Sequence, residues 1–337
     1  KANLFLQGII DRVDLPLDDR MVDWLFMNPV SDGGQFTGLA DNVSKYGVVP
    51  REAMPETYSS ENTSRLRQLL STKLRRDGME LRRMAAGGAK AKALEARKQQ
   101  MLADVYRMLA LTLGEPPTEF VWKRKDSKGN TVDSRKYTPQ EFYAEYFGND
   151  LKGNYVMLMN DPSRPYYKVY EIDYDRHTYD GDNWRYINLP VEEIKAAAIA
   201  SIKDSTAMYF SCDVGKQMDR TNGTLDLDNY DYEALMGVSL DMDKRDRILS
   251  HASASTHAMT LVGVDIDANG KPTSWLIENS WGPGANDGHL LATDNWMDEY
   301  MFRLVVERKY LPEATLKLLD QKPQMLPAWD FMFTNEE

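Results

Sequence analysis

Histidine is the side chain best suited to move protons near neutral pH, and this sequence has few candidates. It contains four: His177, His251, His257 and His289. His257 stands before the apolar run 258–263, which predicts a strand with the imidazole at a sheet edge and one flank exposed. Asn279 follows 22 residues later, at the end of a second β-like run. If these strands pair, the asparagine carbonyl can accept a ring N–H and orient His257 as a general base.

Trp281 lies two residues beyond Asn279, where an indole can shield that hydrogen bond from water. His257, Asn279 and Trp281 therefore form half of a hydrolase site, which still requires a nucleophile. The only cysteine, Cys212, falls in an alternating run with apolar residues, where a free cysteine commonly behaves as a small buried hydrophobe. We interpret Cys212 as structural.

The other three histidines are also interpreted as structural. His177 and His289 lie in segments rich in Asp or Gly, which favours exposure, whereas His251 precedes the predicted catalytic strand and is a candidate to line a cleft. One segment is a candidate metal site: Asp265-x-Asp267-x-Asn269-Gly270 matches the first half of a calcium loop. The twelfth position is Leu276, where a bidentate glutamate is required, so a hairpin turn explains the pattern better. We expect no metal and no cofactor.

Longer motifs resemble the papain-like cysteine peptidases, within them the family of bleomycin hydrolase and aminopeptidase C. The matching segments run through nearly the whole chain: Met27-Asn28-Pro29, Asp32-Gly33-Gly34-Gln35, Cys212-Asp213-Val214-Gly215-Lys216, Thr256-His257-Ala258-Met259-Thr260, Glu278-Asn279-Ser280-Trp281-Gly282 and Leu326-Pro327-Ala328-Trp329-Asp330. The resemblance implies a cysteine aminopeptidase that hydrolyses N-terminal peptide bonds through a thioester. It also implies a homohexamer that takes peptide substrates.

The resemblance implies a role for each matching residue. His257 would be the general base and acid, Asn279 its orienter and Trp281 the shield. The implied substrate-binding residues are Gly33 and Gly34 as a ledge for substrate backbone, Thr256 and Ala258 beside a side-chain pocket, and Glu337, whose terminal carboxylate would meet the substrate amine. The last residues, Asn335-Glu336-Glu337, do not closely match the tails expected for this family.

The nucleophile is where the sequence departs from the family pattern. A papain-type site takes its cysteine from a helix N-terminus, in a Gln…Cys-x-x-Phe-Ser pattern that occurs nowhere in these 337 residues. We expect that segment to precede Lys1, so this chain alone is predicted to be inactive. Three explanations stay open: the segment lies outside the chain given, it has been cleaved off, or the protein is a naturally truncated papain-fold scaffold or binding protein.

Composition limits the other possible functions. A formal charge of −11 argues against general affinity for nucleic acid, and no run is apolar enough to cross a bilayer. A single cysteine fits a reducing compartment, and we expect a cytoplasmic protein. In contrast to the acidic chain as a whole, residues 65–98 contain eleven basic side chains and three acidic ones. This stretch is most simply a solvated helical face; we consider it the candidate contact of the hexamer and, as an alternative, a nucleic-acid site.

The predicted elements give an α+β fold of papain-like type, with two lobes and a helical insertion. The expected divisions are 1–58 for the remainder of a helical lobe, 59–120 for an inserted helical hairpin, 121–312 for a β-rich lobe and 313–337 for an arm into the cleft. Residues 60–113 have helical periodicity interrupted at Gly87-Gly88. Thr138-Pro139-Gln140-Glu141 is a capping box, and Asn269-Gly270 suits a type I′ turn between strands 257–266 and 274–279.

Overall fold

The computed structural model describes residues 1–31 and 33–332. Helices and strands form two compact units. The first comprises Lys1–Gly153 with Tyr174–Asn183, and the second comprises Asn154–Asp173 with the chain from Trp184 onward. The α+β class predicted from sequence is confirmed, because one unit is mainly helical and the other is built on a sheet.

The helical unit contains most of the long helices. Its elements are α1 (Ala2–Ile10), α2 (Arg20–Met27), α3 (Phe36–Tyr46), α4 (Tyr58–Glu61), α5 (Thr63–Ala86), α6 (Ala91–Leu113), β1 (Phe120–Lys125), β2 (Thr131–Tyr137) and α7 (Pro139–Tyr146). Helices α5 and α6 are the predicted hairpin, and both pack on α1. Leu66, Leu70 and Leu74 recur at helical spacing and are buried. Gly78 is close-packed as well, since a Cβ there would lie 3.0 Å from the Phe26 ring.

The β-rich unit carries the large sheet. Its elements are β3 (Tyr155–Met159), β4 (Lys168–Ile172), β5 (Arg185–Asn188), α8 (Val191–Lys203), β6 (Met208–Cys212), β7 (Met218–Asp219), β8 (Thr224–Leu225), α9 (Tyr232–Met236), α10 (Lys244–Leu249), β9 (His257–Ile266), β10 (Pro272–Glu278), β11 (His289–Thr293), α11 (Asp294–Tyr300), β12 (Met301–Glu307), α12 (Glu313–Leu316) and β13 (Gln324–Leu326). Within the described residues, eleven strands pair in the order β13-β4-β5-β3-β12-β6-β9-β10-β11-β8-β7. The centre of the core is formed by Phe210, Leu261, Trp275 and Ile277, none more than 1% exposed.

The division of the chain differs from the expected boundaries at two places. Residues 121–153 belong to the helical unit, where the main-chain N–H of Val48 donates to Pro139 at 3.2 Å. Residues 174–183 return to it as well. There Arg12 donates to the Tyr174 hydroxyl at 2.8 Å, and the Asp41 carboxylate accepts the Asp182 N–H at 2.8 Å. Both attachments are long-range contacts that local sequence patterns do not report.

The turn between β9 and β10 also differs from the prediction. A type I′ turn needs positive φ at both central residues, but only Gly270 of the Asn269-Gly270 pair has one, at 82°. The loop is longer, because strand pairing ends at Ile266 and resumes at Pro272. The Asp267 carboxylate accepts the N–H groups of Asn269 and Lys271 at 2.8 and 2.9 Å. The Asp267 side chain therefore stabilises the loop through hydrogen bonds from two of its main-chain N–H groups.

Two helix boundaries follow the sequence signals. In α7, the Thr138 hydroxyl and Glu141 carboxylate exchange hydrogen bonds with each other's main-chain N–H, so the predicted capping box is confirmed. Helix α3 ends at Tyr46 and is capped by Gly47, whose φ is 73°. A Cβ at Gly47 would lie 2.2 Å from the Pro139 carbonyl carbon, so glycine is required where α3 approaches α7.

Candidate active site

His257 and Asn279 are brought together by the antiparallel pairing of β9 and β10. His257 is the first residue of β9, and Asn279 directly follows the last residue of β10. The pairing reaches Glu278, which is in register with Thr260. Apolar residues on both strands bury one face of the sheet, so the register that brings His257 to Asn279 is fixed by the core.

The hydrogen bond between these side chains defines the tautomer of the imidazole. Nε2 of His257 lies 2.9 Å from Oδ1 of Asn279. The same oxygen accepts the main-chain N–H of Ser280 at 2.8 Å, which assigns it as the carbonyl oxygen of the amide. Nε2 must therefore carry the proton and donate it, leaving Nδ1 as the basic nitrogen. An imidazole held in this tautomer can accept a proton at Nδ1.

Trp281 covers one face of this imidazole. The two rings are stacked, with centroids 4.8 Å apart and planes inclined by 27°. Trp281 itself is 48% exposed, whereas His257 is half-buried. The indole therefore lies against the imidazole, and its role as a shield stays a prediction.

The loop after Asn279 needs glycine at two places. The N–H of Asn279 donates to the carbonyl of Gly288 at 3.0 Å and closes the loop. Gly282 and Gly288 have φ values of 92° and 86°, which favour glycine. A Cβ at Gly288 would lie 3.1 Å from the Gly282 carbonyl oxygen. The glycine-rich stretch therefore allows a close main-chain approach that sets the position of Asn279 and Trp281.

Thr256 and Ala258 flank His257 as expected from their sequence positions. Thr256 is exposed, and its N–H donates to the Cys212 carbonyl at 3.0 Å. Ala258 is half-buried and pairs in register with Ser211. Their part in a substrate pocket stays a prediction, but both are fixed to strand β6.

A buried carboxylate that we did not single out from sequence lies beside this segment. Asp213 is 5% exposed, and it accepts a hydrogen bond from the Ser253 hydroxyl at 2.7 Å. The Thr256 hydroxyl lies 3.4 Å from its other oxygen. Asp213 therefore ties the chain entering β9 to the end of β6. The sequence signal that could have identified Asp213 is an acidic residue directly after an apolar strand.

Cys212 is buried, in agreement with the structural interpretation. It is in register with His257 across β6 and β9, which the sequence did not reveal. Its side chain is nevertheless 0% exposed within the apolar core, and burial, together with the charge of Asp213, raises the pKa of the Cys212 thiol well above its usual value. A nucleophilic cysteine needs the opposite environment, since the thiolate is the reactive form.

The remaining histidines occupy varied environments. His251 is exposed and packs edge-on against Phe331, with ring centroids 5.1 Å apart. The expectation that His177 and His289 are exposed is wrong, because both are half-buried. Burial, with the charge of Lys1, lowers the pKa of His177 to about 4. That ring would be 2.2 Å from a Cβ at Gly38, so it packs directly on α3.

Gly33, Gly34 and Glu337 are the other substrate-binding residues that the sequence implied. Gly33 and Gly34 belong to the helical unit, where the carbonyl of Gly33 accepts a hydrogen bond from the Lys1 ammonium. Their role as a ledge for substrate stays a prediction. Glu337 lies outside the described residues. Across residues 1–31 and 33–332 no group of three or more His, Cys, Asp or Glu side chains could hold a metal, and no helix there is long and apolar enough to span a membrane.

Comparison with known proteins agrees with the fold. The model of the peptidase C1-like family matches residues 1–333. An aminopeptidase C of Listeria monocytogenes is 38% identical over 335 residues, covering 98% of this chain and 75% of that protein. Bleomycin hydrolase of Homo sapiens is 39% identical over 345 residues, with the same coverage.

A solved structure is similar over almost the whole chain. The crystal structure of PepW from Lactobacillus rhamnosis HN001 is 38% identical in sequence and aligns with a TM-score of 0.95. The alignment covers 99% of this chain and 76% of that one. With a papain-like neighbour, a family model that matches nearly every residue and a paired histidine and asparagine, the chain belongs to the peptidase C1-like family.

Proposed function

We propose that the chain carries the base and its orienter for a cysteine aminopeptidase. The observation that supports this most directly is the 2.9 Å hydrogen bond from His257 to Asn279, which leaves Nδ1 as the basic nitrogen. Relatives at 38% identity are named aminopeptidase C, which supports an exopeptidase acting on peptide N-termini. Peptides are the proposed substrates.

In this proposal a thiol near Nδ1 transfers its proton to His257. The thiolate attacks the carbonyl carbon of the peptide bond, and the C–N bond breaks as the imidazolium returns the proton to the leaving amine. A thioester remains. Water, deprotonated by Nδ1, then hydrolyses the thioester and restores the thiol. Asn279 keeps Nε2 protonated throughout, so the ring exchanges protons only at Nδ1.

We propose that the thiol comes from sequence outside these 337 residues. Cys212 is the sole cysteine here, and the thiol is enclosed in the core, where substrate carbonyl carbons have no access. The raised pKa of that thiol further disfavours the thiolate. By this proposal, the 337-residue chain on its own is inactive.

Labelling tests both parts of the proposal. The purified protein is treated with a thiol-reactive peptidase inhibitor, and its intact mass and peptide map are measured. Label on a peptide outside the 337 residues that contains Gln and Cys is the expected result, and H257A should abolish it. Label on Cys212, or no label on a protein that has no further sequence, would contradict the proposed enzyme and favour a binding protein.

Self-association into a hexamer through α5 and α6 also remains a proposal. Two of the arginines in residues 65–98 form hydrogen bonds within the chain. Arg75 donates to the main-chain carbonyls of Phe26 and Met27 at 2.8 and 3.1 Å, and Arg82 donates to the main-chain carbonyl of Arg12 at 3.1 Å. Arg76 and Arg83 are exposed. These two arginines are therefore the better candidates for a contact between copies.

A further inference from the structure

Trp281 has a second partner besides His257. The guanidinium carbon of Arg220 lies 5.1 Å from the centroid of the indole, within the range of a cation–π contact. The imidazole, stacked at 4.8 Å, and the guanidinium therefore both contact the indole. All three side chains, His257, Trp281 and Arg220, belong to the β-rich unit.

Arg220 is presented to the indole by a hydrogen-bonded turn. Arg220 is the first residue of the connection between β7 and β8. In this turn the Asp219 carboxylate accepts hydrogen bonds from the N–H groups of Thr221 and Asn222 at 2.8 and 3.1 Å. The N–H of Gly223 donates to the Asp219 carbonyl at 2.9 Å. Three main-chain donors thus converge on one residue, so the backbone that carries Arg220 is well defined.

This turn is fastened to the loop that carries Trp281. The Asn286 side chain donates to the Asn222 carbonyl at 3.1 Å, and the Leu291 N–H donates to the Gly223 carbonyl at 2.9 Å. Gly223 has a φ of 66°, and a Cβ there would lie 2.9 Å from the Asn286 amide nitrogen. The two loops are therefore in direct contact, and the distance between Arg220 and Trp281 is set by the fold.

We propose that Arg220 is a positioning residue that holds the Trp281 indole against the His257–Asn279 pair. The proposal rests on the function proposed for that pair. Because Trp281 is 48% exposed, core packing alone does not fix the indole, and its contact with Arg220 decides how often it moves away from the imidazole. Each opening of the indole exposes the His257 Nε2–H to water.

The exchange rate of the His257 Nε2 proton with solvent measures this opening directly. In the 337-residue chain labelled with ¹⁵N-histidine, R220Q should accelerate that exchange by about two- to five-fold, the equilibrium effect of losing an exposed cation–π contact. R220K keeps a cation above the ring and should retain most of the protection. W281A should give the fastest exchange, since it removes the shield itself.

R245Q is the matched control. Arg245 is an exposed arginine on α10 that pairs with Asp246 at 3.4 Å, and its replacement changes the net charge equally. Exchange in R245Q should equal that of the unmodified chain. The proposal is overturned if R220Q leaves exchange unchanged, or if R245Q accelerates it as much as R220Q does. No nucleophile is needed for this measurement, so it stands apart from the labelling test of enzyme activity.

Discussion

The side-chain carbonyl of Asn279 accepts two hydrogen bonds, from Nε2–H of His257 at 2.9 Å and from the N–H of Ser280 at 2.8 Å. The second bond orients the amide, and the oriented amide fixes the imidazole tautomer. A main-chain group adjacent in sequence thus helps to determine which ring nitrogen of His257 is basic.

Replacement of Asn279 should therefore impair proton transfer. N279A removes the acceptor that holds Nε2–H, and loss of one such hydrogen bond should lower kcat by about ten-fold. The measurement is hydrolysis of a fluorogenic aminoacyl substrate by the protein that carries the nucleophile. S280A is the control, since it keeps the main-chain N–H and should retain the unmodified rate. Equal losses in both variants would mean that the amide does not act through the imidazole.

Cys212 should contribute to stability and take no part in thiol chemistry. C212S places a hydroxyl in an apolar core position and should cost about 1–3 kcal/mol of unfolding free energy, whereas C212A should cost less. Urea unfolding followed by circular dichroism gives both values. The native thiol should resist alkylation at pH 8 until urea unfolds the chain, because burial raises its pKa. Rapid alkylation of the native chain would disprove this assignment.

Lys244 should give stability a dependence on pH. It is 8% exposed, and its ammonium group donates to the carbonyls of Asp298 and Met301 at 2.9 and 2.6 Å. Burial lowers the pKa of Lys244 to about 7, opposed by the nearby charge of Glu299. Between that value and the unfolded pKa near 10.5, the unfolded chain binds more protons, so stability must rise with pH.

The measurement for Lys244 is urea unfolding of the unmodified chain and of K244M at pH 7, 8 and 9. The difference in unfolding free energy should change in favour of the lysine by up to about 1.4 kcal/mol per pH unit. Subtraction of the K244M values removes the contribution of other groups. A difference that stays constant over this range would show that Lys244 does not change its protonation on unfolding.

A buried ion pair between Arg164 and Asp330 attaches residues 326–332 to the rest of the β-rich unit. The guanidinium of Arg164 donates to both carboxylate oxygens of Asp330 at 3.0 and 2.8 Å, and it also pairs with Asp161 at 2.7 Å. D330A should cost about 2–3 kcal/mol, less than is typical for a broken buried pair because Asp161 remains. Hydrogen exchange should rise in 326–332.

The control for D330A is E313A, which removes an exposed pair with Lys317 and should leave stability unchanged. Urea unfolding and exchange mass spectrometry of both variants separate anchoring from a general loss of stability. If exchange in 326–332 is the same in D330A as in the unmodified chain, the ion pair does not hold this segment.

Charge reversal on α5 tests the proposed contact between copies. R76E/R83E should lower the assembly's mass in light scattering without loss of fold, because both side chains are exposed. R75E/R82E should instead lower the thermal midpoint, since these arginines bind main-chain carbonyls of the same unit. An unchanged mass for R76E/R83E would exclude this face as the hexamer contact.

Local sequence patterns were enough to predict most of the secondary structure. Helical periodicity predicted α5 and α6 together with the break at Gly87-Gly88, because glycine ends helices without help from distant residues. The capping box predicted the start of α7 for the same reason. Turn type was predicted wrongly, since Asp267, rather than the Asn269-Gly270 pair alone, determines how the chain turns.

The sequence by itself determined that His257 begins one strand and that Asn279 follows the next, and the apolar residues of both strands must share one core. Only the tertiary structure decided what surrounds them. The tautomer depends on the direction of one amide, and the environment of Cys212 depends on complete enclosure. The contact of Arg220 with Trp281 joins loops about 60 residues apart, and such contacts follow from packing of the whole sheet.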